Sequence, residues 1–352
     1  MKPWQANIRK VEPYVPGEQP KLPDVIKLNT NENPYPPAPG VREAIETMDV
    51  DRFRLYPDPL CNSLVNALAE FYGLNNNQVF VGVGSDDVLS TAFMTFFNSE
   101  KPILFPDITY SFYDVWANLH RIPYEQIPLD ENFKIRKEDY YKENGGVVIA
   151  NPNAPTAIYE PLSFIEDILT HNQDVVVIVD EAYIDFGGES ARKLIDKYDN
   201  LLVVQTFSKS RSMAGIRIGY CMGSPELIKA INDVKYSINS YTLNMTSLVA
   251  GVEAVRDRKY FYDTIQKIVN TRERVKIELK RLGFVFADSK ANFLFVTHPA
   301  IDCCELFEWL RDRHIYVRHF NAERIMNYLR ISIGTDEEMD RLIAAIKEYQ
   351  SL

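Results

Sequence analysis

The chain has 352 residues, of which 46% are hydrophobic and 25% charged, and its formal net charge is −10. That length suits about two domains with a large core, and the acidic balance argues against a nucleic-acid binder, which needs a basic face. The four cysteines (Cys61, Cys221, Cys303, Cys304) form no C-x-x-C pair and the five histidines show no metal-ligand spacing. Neither a disulfide framework nor a metal centre is expected, and the setting is predicted to be reducing. The N-terminus lacks an apolar leader-like segment and no run of about 18 apolar residues occurs, so a cytoplasmic protein without a membrane span is expected.

Residues 1–40 are rich in proline and asparagine and poor in apolar positions, which predicts an extended arm lying on the rest of the molecule. Tyr14, Tyr35 and residues 25–28 are available to dock it. A short helix is expected over 41–49, and RLYPDPL (54–60) reads as a turn-rich loop displaying Tyr56. Leu64, Leu68 and Phe71 carry a helix over 61–72 that Gly73 ends. A strand over 78–83 leads through Gly84 to Ser85, read as the N-cap of a helix to about 98 with Asp86 and Asp87 in its first turn. Further strands are expected at 103–105, 147–150, 175–179, 201–204 and 218–222, and helices at 110–119, 161–171 and 224–236. Continuously apolar strands alternating with helices predict a largely parallel sheet covered on both faces. One long helix over 245–282 then bridges to strands at 284–286, 293–296, 315–317 and 328–333, with helices at 302–313 and from 335. The predicted organisation is an arm (1–40), a large domain (41–250) and a small α+β domain (251–352).

Five stretches carry candidate chemistry. In GVGSDD (82–87) the third glycine of a dinucleotide fingerprint is missing; what remains is a helix N-terminus able to hold a phosphate, or simply a capped helix. ANPNAPTA (150–157) follows a buried strand, either as an Asx/Pro turn or at the sheet edge where ligands of open α/β folds bind. VVVIVDEAYIDF (175–186) delivers Asp180 to the end of a buried strand, where an acid needs a cationic partner. LLVVQTFSKSRSMAGIRIGY (201–220) brings Lys209 to the same edge. Arg330 interrupts an apolar strand and is expected to face a cavity or an acid, and Arg318 follows the strand before it. Taken together, an amine able to form a Schiff base, an acid for a protonated pyridine nitrogen and a phosphate cup describe a pyridoxal-phosphate site better than five unrelated features do.

On LNTNENPYPP (28–37), YPD (56–58), GVGSDD, NPNAPT, VDEAYIDF, TFSKSRSMAGIRIGY and LRISIGT (329–335), the sequence resembles the fold-type I aminotransferases of class II, and most closely the histidinol-phosphate aminotransferase family. The resemblance implies an aspartate-aminotransferase-like large domain around a mostly parallel seven-stranded sheet, with helices on both faces and a smaller α+β domain. It implies Lys209 as the Schiff-base lysine, Asp180 at the pyridine nitrogen and Tyr183 at the cofactor's 3′ oxygen. The phosphate would be held by Ser85 and Asp86 through backbone N–H groups, with Thr206, Ser208 and Arg217, while Tyr110 stacks on the ring. Tyr56 would reach the partner's cofactor in a homodimer. Arg330 would hold an anionic substrate group, with Arg318, Tyr14 and Asn33 on the substrate side. The family's usual asparagine before proline–threonine is Ala154 here, and the glycine after is Ala157, so the asparagine contact is assigned to Asn153. The implied reaction is transamination between histidinol phosphate and 2-oxoglutarate in histidine biosynthesis. The alternatives are an aromatic amino-acid aminotransferase or a phospho-amino-acid decarboxylase of the same fold.

Overall fold

The computed structural model describes residues 2–351. In chain order the elements are β1 (Ile26–Lys27), α1 (Pro39–Glu46), α2 (Asn62–Tyr72), β2 (Val79–Gly82), α3 (Gly84–Phe96), β3 (Ile103–Pro106), α4 (Tyr113–His120) and β4 (Tyr124–Ile127). There follow β5 (Gly146–Ala150), α5 (Leu162–His171), β6 (Val177–Asp180), β7 (Leu201–Thr206), β8 (Gly219–Met222), α6 (Pro225–Ile238), α7 (Met245–Arg256) and α8 (Arg258–Arg281). The C-terminal part adds β9 (Phe293–Val296), α9 (Cys303–Asp312), β10 (Ile315–Tyr316), β11 (Arg318–His319), β12 (Leu329–Ser332) and α10 (Asp336–Gln350).

Seven strands form one sheet in the order β2-β8-β7-β6-β5-β3-β4. All run parallel except β8, which pairs antiparallel with both β2 and β7. The expected α/β architecture is therefore present, with helices on both faces. Strand residues alternate between two apolar layers. Val79, Val147, Val177 and Leu201 face α1, α2, α5 and α7, whereas Phe80, Val148, Ile178 and Leu202 face α3, α4 and α6. Burial on both faces is what makes these strands read as unbroken apolar runs.

Around β9, β11 and β12, a smaller antiparallel sheet packs on α8, α9 and α10. The N-terminal arm joins this second body: β1 pairs in parallel with β10, Ile26 opposite Ile315, and Ile26 and Leu28 are buried in its apolar cluster.

Three local expectations change. The helix predicted over 245–282 is two helices, because the chain leaves helical geometry at Asp257, whose side chain accepts from the N–H of Tyr260 and starts α8 anew. Ser85 is not an N-cap. Helix α3 begins at Gly84 after Val83, and Asp87 reaches back to accept the Val83 N–H at 2.8 Å. Residues 284–286 form no strand, only a bridge between Val285 and Thr297.

Candidate active site

The site lies at the C-terminal edge of the large sheet. Parallel register sets Ala150 beside Asp180 and Asp180 beside Val204, so β5, β6 and β7 end together. Asp180 closes β6, and three residues beyond β7 comes Lys209. Because β8 runs the other way, its first residue, Gly219, pairs with Thr206 at the same edge and carries Arg217 there. Gly219 also lets the start of α3 approach. A Cβ at that position would sit 2.2 Å from both the Gly84 carbonyl carbon and the Ser85 nitrogen. The first-turn N–H groups of α3, which have no intrahelical acceptors, therefore sit beside the cavity.

A cavity of about 390 Å³ joins these groups; Ser85, Asp86, Tyr110, Asp180, Tyr183, Thr206, Ser208, Lys209 and Arg217 line it. Tyr14, Arg318 and Arg330 line the same cavity. Asp180 is buried; its carboxylate accepts from Tyr113 Oη at 2.9 Å and from the Ala182 N–H at 3.2 Å. Among the described residues no cation pairs with it, and burial pushes its carboxyl up to about 6 despite these donors. Lys209 Nζ donates to the Thr30 carbonyl at 3.0 Å. Burial, then the nearby Arg330 guanidinium, brings the amine down to about 8. That change brings a free amine within reach near neutrality.

The two acids of GVGSDD are kept from opposing an anion. Asp87 turns back into its helix cap, and Asp86 is engaged by Arg217 Nη2 at 3.1 Å and by Tyr110 Oη at 2.8 Å. Thr206 Oγ1 donates to Ser208 Oγ at 3.0 Å, which fixes the loop that ends in Lys209. Arg330 enters from β12 with Nη2 on the Asn29 carbonyl at 2.9 Å, while its Nε is buried without a partner. Removal from water presses its guanidinium below its ordinary range. A desolvated cation without a carboxylate is suited to an incoming anion. Tyr14 is held over the cavity by stacking on Phe112 at 4.2 Å.

Three predicted residues do not line the cavity. Asn153 is buried with its amide satisfied inside the protein, by Thr109 Oγ1, the Ile108 carbonyl and Thr156 Oγ1. Asn33 donates to the Lys209 carbonyl at 3.0 Å and so supports the lysine loop from behind. Tyr56 is 79% exposed in this chain and stacks on Tyr241. Sequence reasoning passed over two residues. Asn31 lines the cavity and donates to Tyr183 Oη at 3.0 Å. Tyr113 lies three positions after Tyr110, and both hydroxyls donate to acids of the site. That spacing was the available signal for Tyr113; Asn31 sits in a segment with no periodicity to place it.

The model of the family "Aminotransferase class I and II" matches residues 23–346. The chain belongs to the class I and II aminotransferases. Within that family several relatives at more than half identity share one name. It is 56% identical to the histidinol-phosphate aminotransferase of Clostridium acetobutylicum over 345 residues, 98% of each chain. It is 52% identical to that of Brachyspira hyodysenteriae over 340 residues, 96% of each chain. Among solved structures it resembles histidinol-phosphate aminotransferase from Sinorhizobium meliloti in complex with pyridoxal-5′-phosphate. That match has a TM-score of 0.83 at 24% identity and covers 92% of this chain and 90% of that one. Aspartate aminotransferase from Thermotoga maritima shares the fold with a TM-score of 0.79 at 22% identity, covering 94% and 92%.

Pyridoxal phosphate is the cofactor of this family, and the residues present fit it. A buried carboxylate without a cation suits a protonated pyridine nitrogen, a depressed lysine suits a carbonyl, and a helix N-terminus with Arg217 suits a phosphate.

Proposed function

We propose that the chain transfers the amino group of L-histidinol phosphate to 2-oxoglutarate, giving imidazole acetol phosphate and L-glutamate, as a step of histidine biosynthesis. The observation that carries this reading is a single cavity lined by Lys209 and Asp180 together with Arg318 and Arg330. It rests as well on relatives of the same name at more than half identity.

Bound in the cavity, pyridoxal phosphate supplies an electron sink for the electrons left when the substrate's Cα–H bond is broken. Ser85, Thr206, Ser208 and Arg217 would hold its phosphate, and Asp180 would keep its ring nitrogen protonated. Tyr110 would lie against the ring and Tyr183 would donate a hydrogen bond to the 3′ oxygen. Lys209, as a free amine, would take the proton from the substrate's Cα and deliver it to the cofactor's C4′, on the far side of the amino nitrogen. Arg330 holds the carboxylate of glutamate or the phosphate of histidinol phosphate in turn, with Arg318 and Tyr14 at the phosphate end. Asn33 holds the lysine loop.

We further propose a homodimer working in the cytoplasm. Support comes from the exposed apolar side chains Val50, Phe53, Leu55 and Leu60 flanking Tyr56 in sequence, with the exposed Tyr241 stacked on Tyr56. Across such an interface Tyr56 would reach the partner's cofactor phosphate. Among the described residues no helix is long and apolar enough to cross a membrane.

The test compares single-turnover half-reactions with histidinol phosphate, phenylalanine and threonine phosphate, followed by the cofactor's absorbance. Histidinol phosphate should be the fastest at equal concentration; parity with phenylalanine would sink the assignment.

A further inference from the structure

Asn31 is buried with each of its polar groups engaged. Its N–H donates to Ser332 Oγ at 2.9 Å, and Ser332 Oγ donates in return to Asn31 Oδ1 at 3.1 Å. The Asn31 carbonyl accepts from Asn292 Nδ2 at 3.0 Å. The serine hydroxyl accepts the backbone N–H and spends its one proton on Oδ1, which leaves Nδ2 facing Tyr183 Oη at 3.0 Å. The backbone at Asn31 is left-handed, with φ of 55°, a region asparagine tolerates better than most residues. The amide is thus fixed on both sides before it meets the tyrosine.

A phenol has a single proton. Accepting from Asn31 fills a lone pair of the oxygen and leaves that proton to be given to something else. Among the described residues no side chain or carbonyl accepts it, and Tyr183 lines the cavity.

We propose that Asn31 is a positioning residue for Tyr183: by donating into the hydroxyl it turns the phenol proton toward the ring oxygen of bound pyridoxal phosphate. This rests on the reading of Tyr183 as the donor to that oxygen. A hydrogen bond to the oxygen favours its anionic form and so lowers the pH at which the lysine-bound chromophore loses its proton. The charged groups facing Tyr183 are Arg330, Asp180 and Asp86, with Lys209 Nζ 5.8 Å above its ring. Substitution at position 31 removes none of them.

The experiment is a pH titration of the visible absorbance of the cofactor-loaded protein, with no substrate added. Tyr183→Phe should raise the midpoint by about one pH unit, the worth of one charge-assisted hydrogen bond. Asn31→Gly, which retains the left-handed backbone, should raise it by about half as much. Asn31→Asp, close to isosteric, should raise it too, because its carboxylate takes the phenol proton for itself; it serves where the glycine variant folds poorly. In the Tyr183→Phe background, Asn31→Gly should produce no further shift. An unmoved midpoint in Tyr183→Phe would overturn the placement of Tyr183. A shift in Tyr183→Phe with none in either Asn31 variant would overturn the role of Asn31 alone, as would a full extra shift in the double variant.

Discussion

At the scale of single residues the site is defined by charges held without their usual partners. Arg330 and Arg318 differ in depth: Arg330 rises from the middle of β12 with a buried unpartnered Nε, whereas Arg318 stands in the short outer strand β11. Arg330→Met is therefore expected to slow both half-reactions by about 100-fold, the cost of one lost charged contact. Arg318→Met should mainly slow the half-reaction with histidinol phosphate; single-turnover rates with each amino donor check the division. Asp180 gives a pH dependence with a definite sign. Its carboxyl is raised in the folded protein to about 6 from 3.8, so between those values the folded state binds more protons than the unfolded state. The contribution of Asp180 to the stability of the cofactor-free protein should then fall as pH rises through that window. Asp180→Asn should remove part of the slope in urea titrations at about pH 4 and about pH 7. Glu181, which burial raises to about 7, and Asp185, which burial also raises, add to the slope with the same sign. An unchanged slope would mean that Asp180 keeps an ordinary carboxyl in the empty site.

Elements differ in how plainly the sequence announces them. Strands β5, β6 and β7 were legible because both their faces are buried, and with them came Asp180 and Lys209 at a common edge. Strand β4 left no comparable signal. It sits at the sheet edge, with Glu125 and Gln126 exposed, and an edge strand need not be apolar. The break at Asp257 was hidden because apolar spacing continues through it on both sides. There the side chain of Asp257 accepts from Tyr260 N at 3.0 Å, so Asp257→Ala should lower stability by about 1 kcal/mol, the usual worth of an N-cap. Denaturant unfolding would measure the loss while the cofactor's absorbance stays as it was. Asn31, Asn33 and Thr30 illustrate a different blindness. A proline- and asparagine-rich arm gives neither period nor burial pattern, so which of its side chains enters the site depends on a distant strand, and the sequence pointed to Asn33.

For the molecule as a whole, assembly turns on Tyr56. In one chain it reaches nothing in the cavity. If a second copy completes the site, Tyr56→Ala should weaken cofactor retention about tenfold through loss of one phosphate contact, without dissociating the dimer. Equilibrium dialysis and light scattering separate the two readouts; unaltered retention would remove Tyr56 from the site.

The pairing of β1 with β10 has a consequence for the order in which the protein is made. The arm that supplies the acceptor for Lys209, the partner of Arg330 and the donor to Tyr183 leaves the ribosome well before the strand that anchors it, Ile315–Tyr316. A partly synthesised chain lacks the arm's contact with Lys209 in its final form until β10 has emerged to pair with β1. Closing so long a loop is slow. Capture of the cofactor in its working geometry should thus follow the pairing of β1 with β10, and a chain truncated before β10 should carry an unfinished site.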